Sequence, residues 1–117
     1  MDKRAFPRAE LNIPFTLVCN DAETTGETQD VSLNGLFAKI GEDLELNSSV
    51  KLLIKPEEDK PDIVECHGKI VRKTDSGVGI QIESMELQSY IKWRYIVTQA
   101  TLCMAGLEQE TPTFVVQ

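Results

Sequence analysis

At 117 residues, with 41% hydrophobic and 26% charged residues, the chain has the size and balance of one soluble globular domain with a buried core. A net charge of −7 disfavours general binding of DNA or RNA, where phosphate neutralisation supplies most of the affinity. No run is long and apolar enough to span a membrane, the N-terminus lacks the apolar core of a signal peptide, and an odd set of three cysteines argues for reduced thiols in a cytoplasm.

Residues 1–10 read as a basic, irregular arm carrying Lys3, Arg4 and Arg8, in which Pro7 holds Phe6 extended. The barrel-and-helix unit is expected over residues 11–106, and 107–117 form a C-terminal tail. Leu11, Ile13, Phe15, Leu17 and Cys19 alternate with more polar neighbours, which predicts one half-buried strand with an edge or bulge at Pro14. Asn20-Asp21 begins a turn. A polar second strand follows over about Thr24 to Ser32, with at least one solvated face. Asn34-Gly35 reads as a turn pair, since both tolerate positive φ, and a third strand runs from Leu36 to Ile40.

Leu44 and Leu46 are expected in a short link packed under the sheet, followed by a fourth strand over Val50 to Lys55. The proline-bounded, charged segment from Pro56 to Asp62 reads as a solvated hairpin tip. Ile63 to Lys73 is a fifth strand in which Gly68 marks a bulge or close backbone approach, and Val78 to Ile82 is a sixth after the Asp75-Ser76-Gly77 turn. From Ser84, a predicted N-cap, the period becomes helical: Leu87, Ile91, Tyr95, Thr98 and Leu102 share one face with Tyr90, Trp93 and Val97 beside it, and Gly106 is a natural stop. Six short strands closed by one helix predict a mainly β fold, a six-stranded antiparallel β-barrel with a C-terminal capping α-helix.

Two motifs stand out in this frame. Arg4 and Arg8 spell RxxxR in the arm, and Asp30, Ser32 and Gly35 spell DxSxxG at the end of the second strand. On a strand, side chains at i and i+2 share a face, so Asp30 and Ser32 can address one ligand together. In this order and at these places the pair resembles the PilZ domain family, bacterial receptors for cyclic di-GMP. Gly-Lys-Ile-Val-Arg at 68–72 and Gly-Val-Gly-Ile-Gln-Ile at 77–82 resemble the family's later strands. The resemblance covers roughly Arg4 to the helix and implies the same barrel-and-helix architecture, in a stand-alone domain with no fused output.

The resemblance implies ligand-binding roles for Arg4, Arg8, Asp30, Ser32 and Gly35, with Asn34 as an added polar contact. The chemistry suits them. A guanidinium fork matches phosphate oxygens and the O6/N7 edge of guanine. Asp30 can accept from guanine N–H donors, and a glycine admits close backbone approach. The expected function is binding of cyclic di-GMP, relayed by ordering of the arm and altered contacts with a downstream protein partner. The alternative is a PilZ-like interaction module in pilus or motility assembly that needs no nucleotide. No enzyme, metal site or cofactor is expected: one histidine and no CxxC spacing leave zinc without ligands, and Cys66 and His67 alternate to opposite faces of a strand.

Overall fold

The structure, a computed structural model, describes residues 9–41, 43–56 and 63–104. Seven strands and one helix follow in the order β1 (Ala9–Glu10), β2 (Pro14–Cys19), β3 (Ala22–Ser32), β4 (Gly35–Ile40), β5 (Ser49–Ile54), β6 (Val64–Thr74), β7 (Gly77–Met85) and α1 (Leu87–Met104). All pairings are antiparallel in the order β1-β3-β2-β5-β6-β7-β4, and β4 pairs back onto β3, so six strands close into a barrel with β1 as an extra short strand on β3. Period-two alternation builds the interior. Phe15 and Leu17 of β2, Leu36 and Ala38 of β4, Leu52 and Ile54 of β5, and Val64, Cys66 and Ile70 of β6 all point into one core. His67, next to inward Cys66, is exposed.

The predicted strand over Leu11 to Cys19 starts only at Pro14, and Ala9–Glu10 before it form a separate short strand. Pro14 opens β2, at the strand-start position a residue without an N–H tolerates, and the segment 11–13 breaks the ladder before it. Thr28 stitches that break. Its buried hydroxyl donates to the Leu11 carbonyl and accepts the Ile13 N–H at 2.8 Å, while the Asn12 amide donates to the Thr28 carbonyl at 2.8 Å. Two side-chain groups thus replace ladder bonds, and the chain crosses from β3's C-terminal half to its N-terminal half.

The β2–β3 connection is a two-residue hairpin, with Cys19 opposite Ala22 and positive φ at both Asn20 (54°) and Asp21 (67°). That is the turn whose twist matches the flanking strands. Register slips at His67/Gly68 and at Ile70/Arg72 bend β6, the first where the glycine was expected to mark a bulge. Leu44 packs against the core, but Leu46 is exposed, contrary to the expected link under the barrel.

The helix departs from expectation in two ways. Ser84 is not its N-cap: it lies in β7 opposite His67, and the helix starts at Leu87. The Glu86 carbonyl accepts the first helical bond, from the Tyr90 N–H at 2.8 Å. The strand continues because Met85 still pairs with Cys66 over the core. The buried face is also not the predicted one. Ser89, Trp93, Val97 and Ala100 are buried, whereas Leu87, Ile91 and Tyr95 are 71%, 58% and 54% exposed. Apolar residues line both faces, so spacing alone does not choose between them. Specific bonds do: the indole N–H of Trp93 donates to the Ser32 carbonyl at 3.1 Å, and the Glu65 N–H donates to Ser89 Oγ at 3.1 Å. The predicted stop at Gly106, the tail and the charged tip lie outside the described residues. No helix among the described residues is long and apolar enough to cross a membrane.

Candidate ligand-binding site

The DxSxxG motif occupies the end of β3 and the hairpin into β4. Its turn residues are Leu33 and Asn34, with Ser32 paired to Gly35, so Gly35 is already in the strand and the expected Asn34-Gly35 turn is displaced by one residue. Asn34 is not among the residues with positive φ. Ser32 locks this turn. Its hydroxyl donates to the Asn34 side-chain oxygen at 3.0 Å, with the Gly35 carbonyl at 3.3 Å as a second acceptor.

Asp30 and Ser32 flank inward-pointing Val31, which is 0% exposed, so alternation gives them one side of the strand as predicted. Their access differs: Asp30 is partly exposed, while Ser32 is fully enclosed. Gly35 is buried against β7. A Cβ there would lie 2.6 Å from the Ile80 carbonyl oxygen, so barrel closure itself requires the missing side chain. Asn34 is exposed, and its carbonyl accepts the Ile82 N–H at 2.9 Å. It stands on the wall of an open groove of about 340 Å³ between this turn, residues Ile82 to Met85 of β7, and Tyr90 of the helix.

Arg4 and Arg8 lie outside the described residues. The structure nevertheless shows where the arm joins the barrel. Ala9 pairs with Val31 and Glu10 with Asp30, so Arg8 is bonded to a residue whose partner sits between Asp30 and Ser32. Ala9, which follows Arg8 in the chain, reaches Val31 within DxSxxG because β3 is long: β2 pairs with its first half and β1 with Asp30 and Val31 near its end. The register slip between Thr28 and Asp30 re-aims the strand at that point.

Three further residues border the site that motif reading did not single out. Trp93, fully buried, ties the helix to the Ser32 carbonyl inside the motif. Phe37 is paired directly with Asp30, and the Arg72 guanidinium sits over the Phe37 ring, 5.3 Å from its centroid. The lone tryptophan was a visible signal, but its acceptor is 61 residues away in sequence. Only the strand register brings Arg72 and Phe37 to Asp30.

The comparisons bear on this geometry. No curated protein matches the sequence at a significant level. Among solved structures the chain is similar to the PilZ domain of CeSA from a cellulose-synthesising bacterium, at 18% identity and a TM-score of 0.62, over 79% of this chain and 95% of that one. It is similar to the Bacillus subtilis inhibitor of motility MotI/DgrA at 14% identity and a TM-score of 0.71, over 87% of this chain and 52% of that one. It is also similar to the PilZ domain of YcgR from Escherichia coli, solved with c-di-GMP, at 8% identity and a TM-score of 0.69, over 86% and 92% of the two chains. At such identities these likenesses carry the fold alone. The PilZ domain family model matches residues 2–99, which includes both motifs, and on that match the chain belongs to the PilZ domain family.

Proposed function

We propose that this domain is a receptor for cyclic di-GMP, a binding module and not an enzyme. The observation that carries the reading is the β1–β3 register, Ala9 with Val31 and Glu10 with Asp30, which joins the arginine-bearing arm to the acidic motif. The match to a family that includes a domain solved with c-di-GMP supports it. Arg4 and Arg8 supply forks for phosphate or guanine, and Asp30 accepts guanine N–H donors. Asn34 offers a polar contact beside the groove, and Gly35 lets β4 close against β7 beneath it. Ser32 holds the turn and reaches a ligand by exchanging its bond to Asn34. The arm orders over the ligand at a cost on the order of 1 kcal/mol per residue fixed, offset by charge-assisted bonds.

Relay to a downstream protein partner then runs through the helix, which packs against β1 and holds the motif carbonyl through Trp93. A cytoplasmic setting suits the free thiols of Cys19 and Cys66. The second reading, an interaction module that needs no nucleotide, is favoured by the exposed Leu87, Ile91 and Tyr95 of the helix.

Titration calorimetry separates the two. Cyclic di-GMP should bind saturably to the domain, GTP should not, and Arg8→Ala should lose about 10-fold or more in affinity, the scale of a charge-assisted bidentate contact. A domain that takes up no cyclic di-GMP at any temperature, with a second assay agreeing, refutes the receptor reading.

A further inference from the structure

One transverse row of the barrel runs through the motif and beyond it. Glu10 pairs with Asp30, Asp30 with Phe37, Phe37 with Gly79, and Gly79 with Arg72, across β1, β3, β4, β7 and β6. Directly paired residues share a face. Here it is the outer face, since Leu36 and Ala38 beside Phe37, and Val78 and Ile80 beside Gly79, fill the core.

Gly79 is what couples the row. Its absent side chain leaves the space over β7 open, and a Cβ there would meet the Arg72 Cβ at 3.3 Å and the Phe37 ring at 4.0 Å. Arg72 therefore crosses β7 and lies over Phe37. The register slip between Ile70 and Arg72 sets Arg72 opposite Gly79. Strands are spaced by about 4.8 Å, so the guanidinium lies on the order of one strand spacing from the Asp30 position, a gap that a bicyclic base bridges.

The pairing state of Arg72 points the same way. The other two cations of β6 hold carboxylates, Lys69 with Glu83 at 3.7 Å and Lys73 with Asp43 at 2.8 Å. Arg72 has no carboxylate partner among the described residues and rests on an aromatic ring. In a chain of net charge −7, that is a guanidinium held out for an anionic or π-faced ligand.

We propose that Arg72, carried on Phe37, is a ligand-binding residue that takes a guanine base of a cyclic dinucleotide whose donor edge Asp30 accepts. The proposal rests on the receptor reading above. Arg72 stacks on the base, Phe37 keeps the guanidinium in place before the ligand arrives, and Asp30 reads the base's N–H donors. The row thus carries the site from Asp30 on β3 across β4 and β7 to Arg72 on β6, a strand that neither motif contains.

The test is calorimetric titration of cyclic di-GMP into the wild type, Arg72→Ala, Arg72→Lys, Phe37→Leu and the Arg72→Ala/Phe37→Leu double variant, with circular dichroism checking each fold. Arg72→Ala should weaken binding about 10-fold, the scale of a partly desolvated cation–π contact. Arg72→Lys should not restore it, because an ammonium lacks the planar face. The double variant should lose no more than Arg72→Ala, since Phe37 acts through Arg72. Wild-type affinity in a folded Arg72→Ala variant overturns this inference alone and leaves the receptor reading standing. Wild-type affinity in Arg72→Lys overturns the stacking role. A wild type that binds no cyclic di-GMP refutes the receptor reading and this inference with it.

Discussion

Trp93→Phe is the substitution that most directly tests how the helix is tied to the motif. The indole is fully buried, and its N–H is the donor to the Ser32 carbonyl at 3.1 Å. Phenylalanine keeps an aromatic ring but removes that donor and part of the volume. A buried carbonyl left without its partner costs about 1–3 kcal/mol. Partial truncation of a core aromatic adds about 1–2 kcal/mol, less than the full change to alanine. The expected loss is therefore roughly 2–5 kcal/mol, a large share of the roughly 5–15 kcal/mol that holds a typical domain together. At about 4 °C per kcal/mol for a domain of this size, Tm should fall by roughly 8–20 °C. Urea denaturation followed by far-ultraviolet circular dichroism measures it without needing the tryptophan signal. Tyr95→Ala, on the exposed side of the same helix, is the control and should stay within about 0.5 kcal/mol. A loss below about 1 kcal/mol for Trp93→Phe, or equal losses for the two variants, would refute the assignment of the buried face and of the indole–carbonyl bond.

Cys66 sits in the core, and burial, with a smaller contribution from Glu65, pushes its thiol up to about 12. The folded state then keeps a proton that the unfolded chain releases near the ordinary thiol range. The thiol's contribution is fully present below that range and is lost as pH rises toward the folded value, at about 1.4 kcal/mol per pH unit. Cys66→Val should flatten the alkaline limb of the stability profile, measured by urea midpoints between pH 8 and pH 11; identical slopes would count against it. Gly35→Ala should destabilise the fold by about 1–3 kcal/mol with no ligand present, because the added Cβ meets the Ile80 carbonyl at 2.6 Å, a backbone atom that cannot swing aside. An unchanged Tm would show that the close approach is not needed.

How much of the site was legible can be read from particular residues. The two-residue period of Phe15, Leu17, Leu36, Ala38, Leu52 and Ile54 marked the core face correctly, since alternation is a local property of an extended chain. Pro14 marked an irregularity at the right residue, though as an edge or bulge within one strand and not as the start of β2, and the two-residue β1 before it went unread. Ser84 misled, because capping residues also occur in strands, and what extended β7 was the non-local pairing of Met85 with Cys66. Gly35 was read as an opening for a ligand, whereas the structure fills that space with the Ile80 carbonyl. Arg72 was legible only as the end of a family-like strand; its place beside Asp30 depends on a register slip in β6 and on an absent side chain in β7.

The barrel, the helix after it and the family could be read along the chain, because hydrophobic alternation, turn residues and two spaced motifs are each written along a single segment. The tertiary structure alone decided which face of the helix is buried and what shares a row with Asp30. Both faces of α1 are apolar, so the choice fell to one indole–carbonyl bond spanning 61 positions. The row from Asp30 to Arg72 exists only after three strand registers are set. Register is a property of pairs of strands, fixed by packing against a common core, and no single stretch of chain contains it.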